Sequence, residues 1–120
     1  LLFLVISFTS YSQKFDKKIN ELVSNYELDV IELRHWFHEN AELSNREFNT
    51  SERIADELIK IGLEPQTGIA KTGVVALLKG GKPGPVVALR ADIDGLPVKE
   101  RADLSWASKM IGEYNGEEVP

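Results

Sequence analysis

Val86-Val87-Ala88-Leu89-Arg90-Ala91-Asp92-Ile93-Asp94-Gly95-Leu96-Pro97 decides how this 120-residue chain is read. An apolar, β-branched run leads directly into two carboxylates set two residues apart. On a strand, side chains at that spacing share a face. Asp92 and Asp94 therefore project together from the C-terminal end if strand geometry persists. That edge is where α/β sheets place their ligands, because the loops there are free to carry polar groups. Two carboxylates on one face repel unless a cation or a shared proton relieves them. The pair is thus a candidate for metal-associated or acid/base chemistry. The same residues also read as a turn, since Asp-Gly is a common turn dipeptide and Asp caps its own backbone. Spacing leaves both readings open. A calcium loop is excluded, because Gly95 falls too early and the oxygen ligands required after it are missing.

Working towards the N-terminus, Thr72-Gly73-Val74-Val75-Ala76-Leu77-Leu78 is a second apolar run, with Gly80-Gly81-Lys82-Pro83-Gly84 between the two. This predicts a β-hairpin with a long, irregular turn. Near-continuous apolar runs suit strands covered on both faces, as in an α/β layer. Before them, Ile19, Leu22, Val23, Tyr26, Val30, Leu33 and Phe37 follow one stripe of a helix from Lys14 to about Glu39. A second helix is signalled at Ser44, where Ser44-Asn45-Arg46-Glu47 has the form of a capping box. Phe48, Ser51, Ala55, Leu58 and Ile59 give its buried face, and Gly62 falls at a left-handed C-terminal cap. The order helix–helix–strand–strand is the start of an α/β fold.

Composition narrows the chemistry. With 14 Lys+Arg against 19 Asp+Glu, the net charge of −5 argues against nucleic-acid binding, for nothing here displaces counterions along a phosphate backbone. Zero cysteines exclude a disulfide scaffold, a Cys-rich zinc module and a Cys nucleophile. Only two histidines remain, His35 and His38, three apart on the first helix. Zinc sites usually need other spacings and a third ligand, so a helix-end or packing role is expected. Glu42 reads as a solvated loop acid, Glu47 as the capping-box acid, and Trp36 and Trp106 as core or interface aromatics. Gly80-Gly81-Lys82 lacks phosphate-loop spacing, and no Gly-x-Ser-x-Gly elbow occurs.

Residues 1–13 carry no charge, and Leu1-Leu2-Phe3-Leu4-Val5-Ile6-Ser7-Phe8 is almost wholly apolar. The run is shorter than the ~20 residues of a membrane span. Followed by the small-x-small pattern Ser10-Tyr11-Ser12, it predicts the remainder of a signal peptide, hence export to a periplasm or the outside, with no stable membrane insertion. At the other end, Gly112–Pro120 reads as a polar loop without a closing helix or strand.

Three segments together resemble metal-dependent amidohydrolases of the aminoacylase/carboxypeptidase type, among them hippurate hydrolase, indole-acetyl-amino-acid hydrolases and N-acetyl-diaminopimelate deacetylase. They are Arg34-His35-Trp36-Phe37-His38-Glu39-Asn40-Ala41-Glu42-Leu43-Ser44 with Glu47 and Thr50, Thr72-Gly73-Val74-Val75-Ala76, and Arg90-Ala91-Asp92-Ile93-Asp94-Gly95-Leu96-Pro97. Segment order and spacing fit over roughly residues 30–120. Where the family usually has Pro, this chain has Ala41, a loss of local stiffness. The resemblance implies that residues 14–120 are the N-terminal portion of a mixed-sheet, zinc-peptidase-like catalytic domain. It implies two divalent metals, zinc, manganese or similar, in the full-length protein, and a substrate that is an N-acyl amino acid or small peptide. By the same resemblance, the metals would polarise a water for attack on the amide carbonyl and a Glu would act as general base. Asp92 and Asp94 fall on the family's catalytic positions, which turns the balance from turn to site. The family's His/Cys/Gly/His/Asp cluster, its Glu-Glu pair and later His ligands have no counterpart here, so the segment is expected to be inactive alone. Homo-oligomerisation is expected only of the full-length protein. The alternative is a complete small secreted, non-catalytic α/β binding module derived from that fold.

Overall fold

The computed structural model describes residues 12–120. The signal-peptide reading of residues 1–13 therefore lies, save for its last two positions, outside the described residues. The chain divides after Arg34 into two compact units. In the first, helix α1 (Ser12–Glu39) runs from residue 12 and continues into the second. Its apolar stripe is where the helical period put it. Ile19, Leu22, Val23, Tyr26 and Val30 are nonetheless exposed, and only Leu33 and Phe37, nearer the end, are half-buried. Periodicity predicts which residues share a face; burial needs an element opposite. No helix among the described residues is long and apolar enough to cross a membrane.

The second unit holds helix α2 (Phe48–Lys60) against a two-stranded antiparallel sheet of β1 (Gln66–Ile69) and β2 (Gly73–Val75). The end of α2 follows the expectation. Gly62 adopts φ +84°, its N–H donates to Ile59 O at 2.9 Å, and Leu63 N–H donates to Leu58 O at 3.0 Å. This is the paired-bond left-handed termination that glycine permits. Its start departs from the expectation. The helix begins at Phe48 rather than at Ser44, because Asn45 sits in the left-handed region at φ 63° and breaks the helical path. Of the predicted buried face, Ser51 and Ala55 are buried and Leu58 is half-buried, while Phe48 and Ile59 are exposed.

The predicted hairpin is corrected. β2 pairs with β1, and Val86–Leu89 form no strand among the described residues. A tight reversal at Ala70 and Lys71, both at positive φ, brings β2 back onto Gln66–Ile69. Gly73 is required there, since a Cβ would lie 2.6 Å from Ile69 O. Coverage on both faces is corrected too: Leu77, Leu78, Val86, Val87 and Leu89 are all exposed. A third correction concerns Gly112–Pro120, which contains a β-hairpin. Strands β3 (Gly112–Tyr114) and β4 (Glu117–Val119) pair antiparallel around Asn115 at φ 56° and Gly116 at φ 82°. Positive φ at both central residues is the twist-matched two-residue turn for which Asn-Gly is the preferred pair.

Candidate functional site

Asp92 and Asp94 lie in a stretch that forms no helix or ladder, and both are exposed. The Arg90 guanidinium meets Asp92 Oδ1 at 2.8 Å, with side chains 88% and 75% exposed. An ion pair so open to water contributes about 0–1 kcal/mol. What holds the stretch is the next residue. Gly95 N–H donates to Glu42 O at 2.6 Å, and Gly95 forms a parallel bridge with Leu43. A Cβ on Gly95 would stand 3.0 Å from Ala41 Cβ and 3.4 Å from Glu42 O. The glycine thus serves a close backbone approach to the segment between the helices, and the Asp-Gly turn is not formed.

Glu42 is the centre of that segment, and it is not a solvated acid. Its Oε1 accepts from Asn49 N–H at 3.2 Å and from Asn49 Nδ2 at 2.7 Å, and its Oε2 accepts from Thr50 N–H at 2.8 Å. These amides are the second and third of α2, the donors an N-cap side chain ordinarily satisfies. A carboxylate there also complements the positive end of the helix dipole. Glu42 replaces the predicted Ser44–Glu47 capping box, and Glu47 makes no side-chain cap bond. Instead Glu47 is buried and accepts a hydrogen bond from Thr72 Oγ1 at 2.7 Å, fastening the start of α2 to the start of β2. Burial pushes its carboxyl pKa up. The Thr72 hydroxyl and the backbone at Glu47, Asn45 and Arg46 outweigh that, and hold it below the usual carboxylate range.

The two histidines act at the end of α1. His38 Nε2–H donates to Glu100 Oε2 at 2.7 Å. The Glu100 carboxylate also accepts from Ala102 N–H at 2.8 Å and Arg101 N–H at 3.0 Å. The Ala102 amide first, then His38, hold its carboxyl below the ordinary range. His35 stacks on Trp106, ring centroids 3.8 Å apart and 15° from parallel. Trp36 packs edge-on to Phe37 at 5.2 Å and lies under the Arg53 guanidinium at 5.0 Å. Of the helix-end or packing roles expected for the histidines, His38 takes the first, as an exposed partner of Glu100, and His35 the second, stacked on Trp106, while Trp36 makes the aromatic contacts expected of it.

No group of three His, Asp or Glu side chains gathers to hold a metal among the described residues. Asp92 and Asp94 are two carboxylates without a third donor, and so do not by themselves fit a metal centre. Glu42, Glu100 and Thr72 are the contributors that sequence reasoning missed. The partners of Glu100 and Thr72 lie 62 and 25 residues away, beyond any local motif. Glu42 caps amides seven and eight residues ahead, further than a capping box reaches.

No family model matches the chain. Curated proteins do. It is 43% identical over 97 residues to thermostable carboxypeptidase 2 of Saccharolobus solfataricus, covering 80% of this chain and 25% of that protein. With N-acetylcysteine deacetylase of Bacillus subtilis it shares 45% identity over 87 residues, 69% of this chain and 22% of the relative. Among solved structures it resembles Bacillus subtilis YXEP, described as a dinuclear metal binding peptidase from the M20 family. The TM-score is 0.67 at 40% identity, over 72% of this chain and 25% of that one. The chain spans about a quarter of the length of the curated relatives it matches.

Proposed function

Since the chain belongs to the M20 family of metal-dependent amidohydrolases and peptidases, we propose that the whole protein carrying it hydrolyses the amide bond of N-acyl amino acids or small peptides. The observation that carries this is identity of 38–45% with proteins named carboxypeptidase, deacetylase and N-acyl-L-amino acid amidohydrolase. In this reading residues 14–120 are a portion of the catalytic domain, and Asp92 and Asp94 are the carboxylates they bring to the reaction. Divalent metal ions enter through the solved relative, described as dinuclear. The described residues supply no complete donor set for them, and residues 14–120 alone are inactive. Export, carried by the apolar residues 1–13, belongs to the same proposal.

The test is an assay of the whole protein, supplied with zinc or manganese, against hippurate-like N-acyl amino acids and against dipeptides. Release of free amino acid from the N-acyl substrates is expected. A folded protein that cleaves neither class overturns the proposal, and cleavage of dipeptides alone restricts it to peptides.

A further inference from the structure

Residues 96–111 form no sheet ladder among the described residues, and their local backbone bonds, Val98 N–H to Leu96 O and Ala107 N–H to Leu104 O, join them only to themselves. Four contacts fasten this segment and the Gly95 that precedes it to His35–Glu42, at the end of α1 and just beyond it. Gly95 N–H reaches Glu42 O at 2.6 Å, and Glu100 meets His38 at 2.7 Å. Trp106 stacks on His35 at 3.8 Å, and Ser108 Oγ–H donates to Glu39 O at 3.2 Å. Both histidines of the chain therefore grip one segment. The carboxylate that His38 holds also accepts the next two amides of its own loop, so the grip orders the loop as well as anchoring it. Asp92 and Asp94 stand immediately before the first of the four fastenings.

We propose that His38 and Glu100, with His35 and Trp106 beside them, form a clamp that sets where Asp92 and Asp94 stand. His38 is then a positioning residue, acting through the segment it holds. The imidazoles suit the two halves of the task. One presents a flat face to an indole, and the other an N–H to a carboxylate. The inference rests on the reading of Asp92 and Asp94 as the reacting carboxylates. Its structural half, that the pair governs the order of residues 92–108, is measurable without any substrate.

The experiment compares the whole protein with His38→Ala, Glu100→Ala and the double variant, reading amide hydrogen exchange by mass spectrometry alongside kcat and KM on an N-acyl amino acid. Each single variant is expected to raise exchange across residues 92–108 by about two- to fivefold, the range for a partly exposed ion pair. The double variant rises no further than the larger single one, and the α2 amides are unchanged. On activity, kcat falls by a similar factor while KM holds, and His38→Gln, which keeps an N–H donor, restores most of both. Additive single effects, unchanged exchange, or an effect on KM alone would overturn the clamp. Should His38→Ala fail to fold, Glu100→Gln decides by the same readouts. If the unaltered protein turns over no N-acyl amino acid or dipeptide, the hydrolase reading falls, while the exchange data still decide the clamp.

Discussion

At Glu47 the hydrogen bonds that outweigh burial set a pH dependence. Its carboxyl is held below the ordinary value of 4.5 in the folded protein. The unfolded chain therefore binds the proton more readily, and stability rises with pH through this range. The contribution is fully present above about pH 4.5 and is lost as pH falls through the folded value. Glu47→Gln should lower stability at pH 7 by about 1–3 kcal/mol, as for a hydrogen bond to a charged group. It should also flatten the acid limb of a denaturation series run from pH 6 to pH 3. Glu42→Ala removes the acceptor for two helix-start amides. A cost of about 1–2 kcal/mol is expected, with increased exchange confined to the first turn of α2. Residues whose role is local were legible. Gly62 ends α2 through bonds to residues three and five positions back, which a pattern of neighbours can reveal. Glu42 and Glu47 were misassigned because a capping box presumes the helix starts next to its acid, whereas Asn45 forces it to start later.

Helices were readable as elements and strands only partly so. A helix closes its hydrogen bonds on itself, so the 3.6 period of α1 and α2 and the Gly62 termination of α2 suffice to find them. A strand exists only with a partner. Val86–Leu89 has strong strand composition and no ladder, whereas the less apolar Gln66–Ile69 becomes a strand because Ala70 and Lys71 turn the chain back upon it. The Asn115-Gly116 pair carried a hairpin signal that the polar flanks obscured. Within that hairpin Glu113 lies opposite Glu118, both exposed. Like charges directly opposite are unfavourable. Glu118→Lys should stabilise the β3–β4 pairing by about 0.2–1 kcal/mol, seen as slower exchange of the hairpin amides.

Across the whole molecule, buried apolar material is scarce: among the described residues Ala55 is the one buried hydrophobic side chain, beside buried Glu47, Thr50, Ser51 and Thr72. Wide apolar surfaces are exposed on α1 and along residues 77–89, in a chain that spans a quarter of its relatives' length. The zero-cysteine, two-histidine inventory first excluded thiol and zinc-module chemistry from this sequence, and the structure shows His35 stacked on Trp106 and His38 hydrogen-bonded to Glu100. In the proposed reading, catalytic chemistry in this segment rests on Asp92 and Asp94, a reading carried by their Arg-Ala-Asp-x-Asp-Gly-Leu-Pro setting and not by local geometry. The most direct measurement is release of free amino acid from an N-acyl amino acid by the whole protein, unaltered and as Asp92→Asn. Hydrolysis that falls by about a hundredfold or more in the variant is predicted, as for loss of a catalytic carboxylate. Undiminished hydrolysis in the variant, or none by the folded, metal-supplied protein, would contradict it.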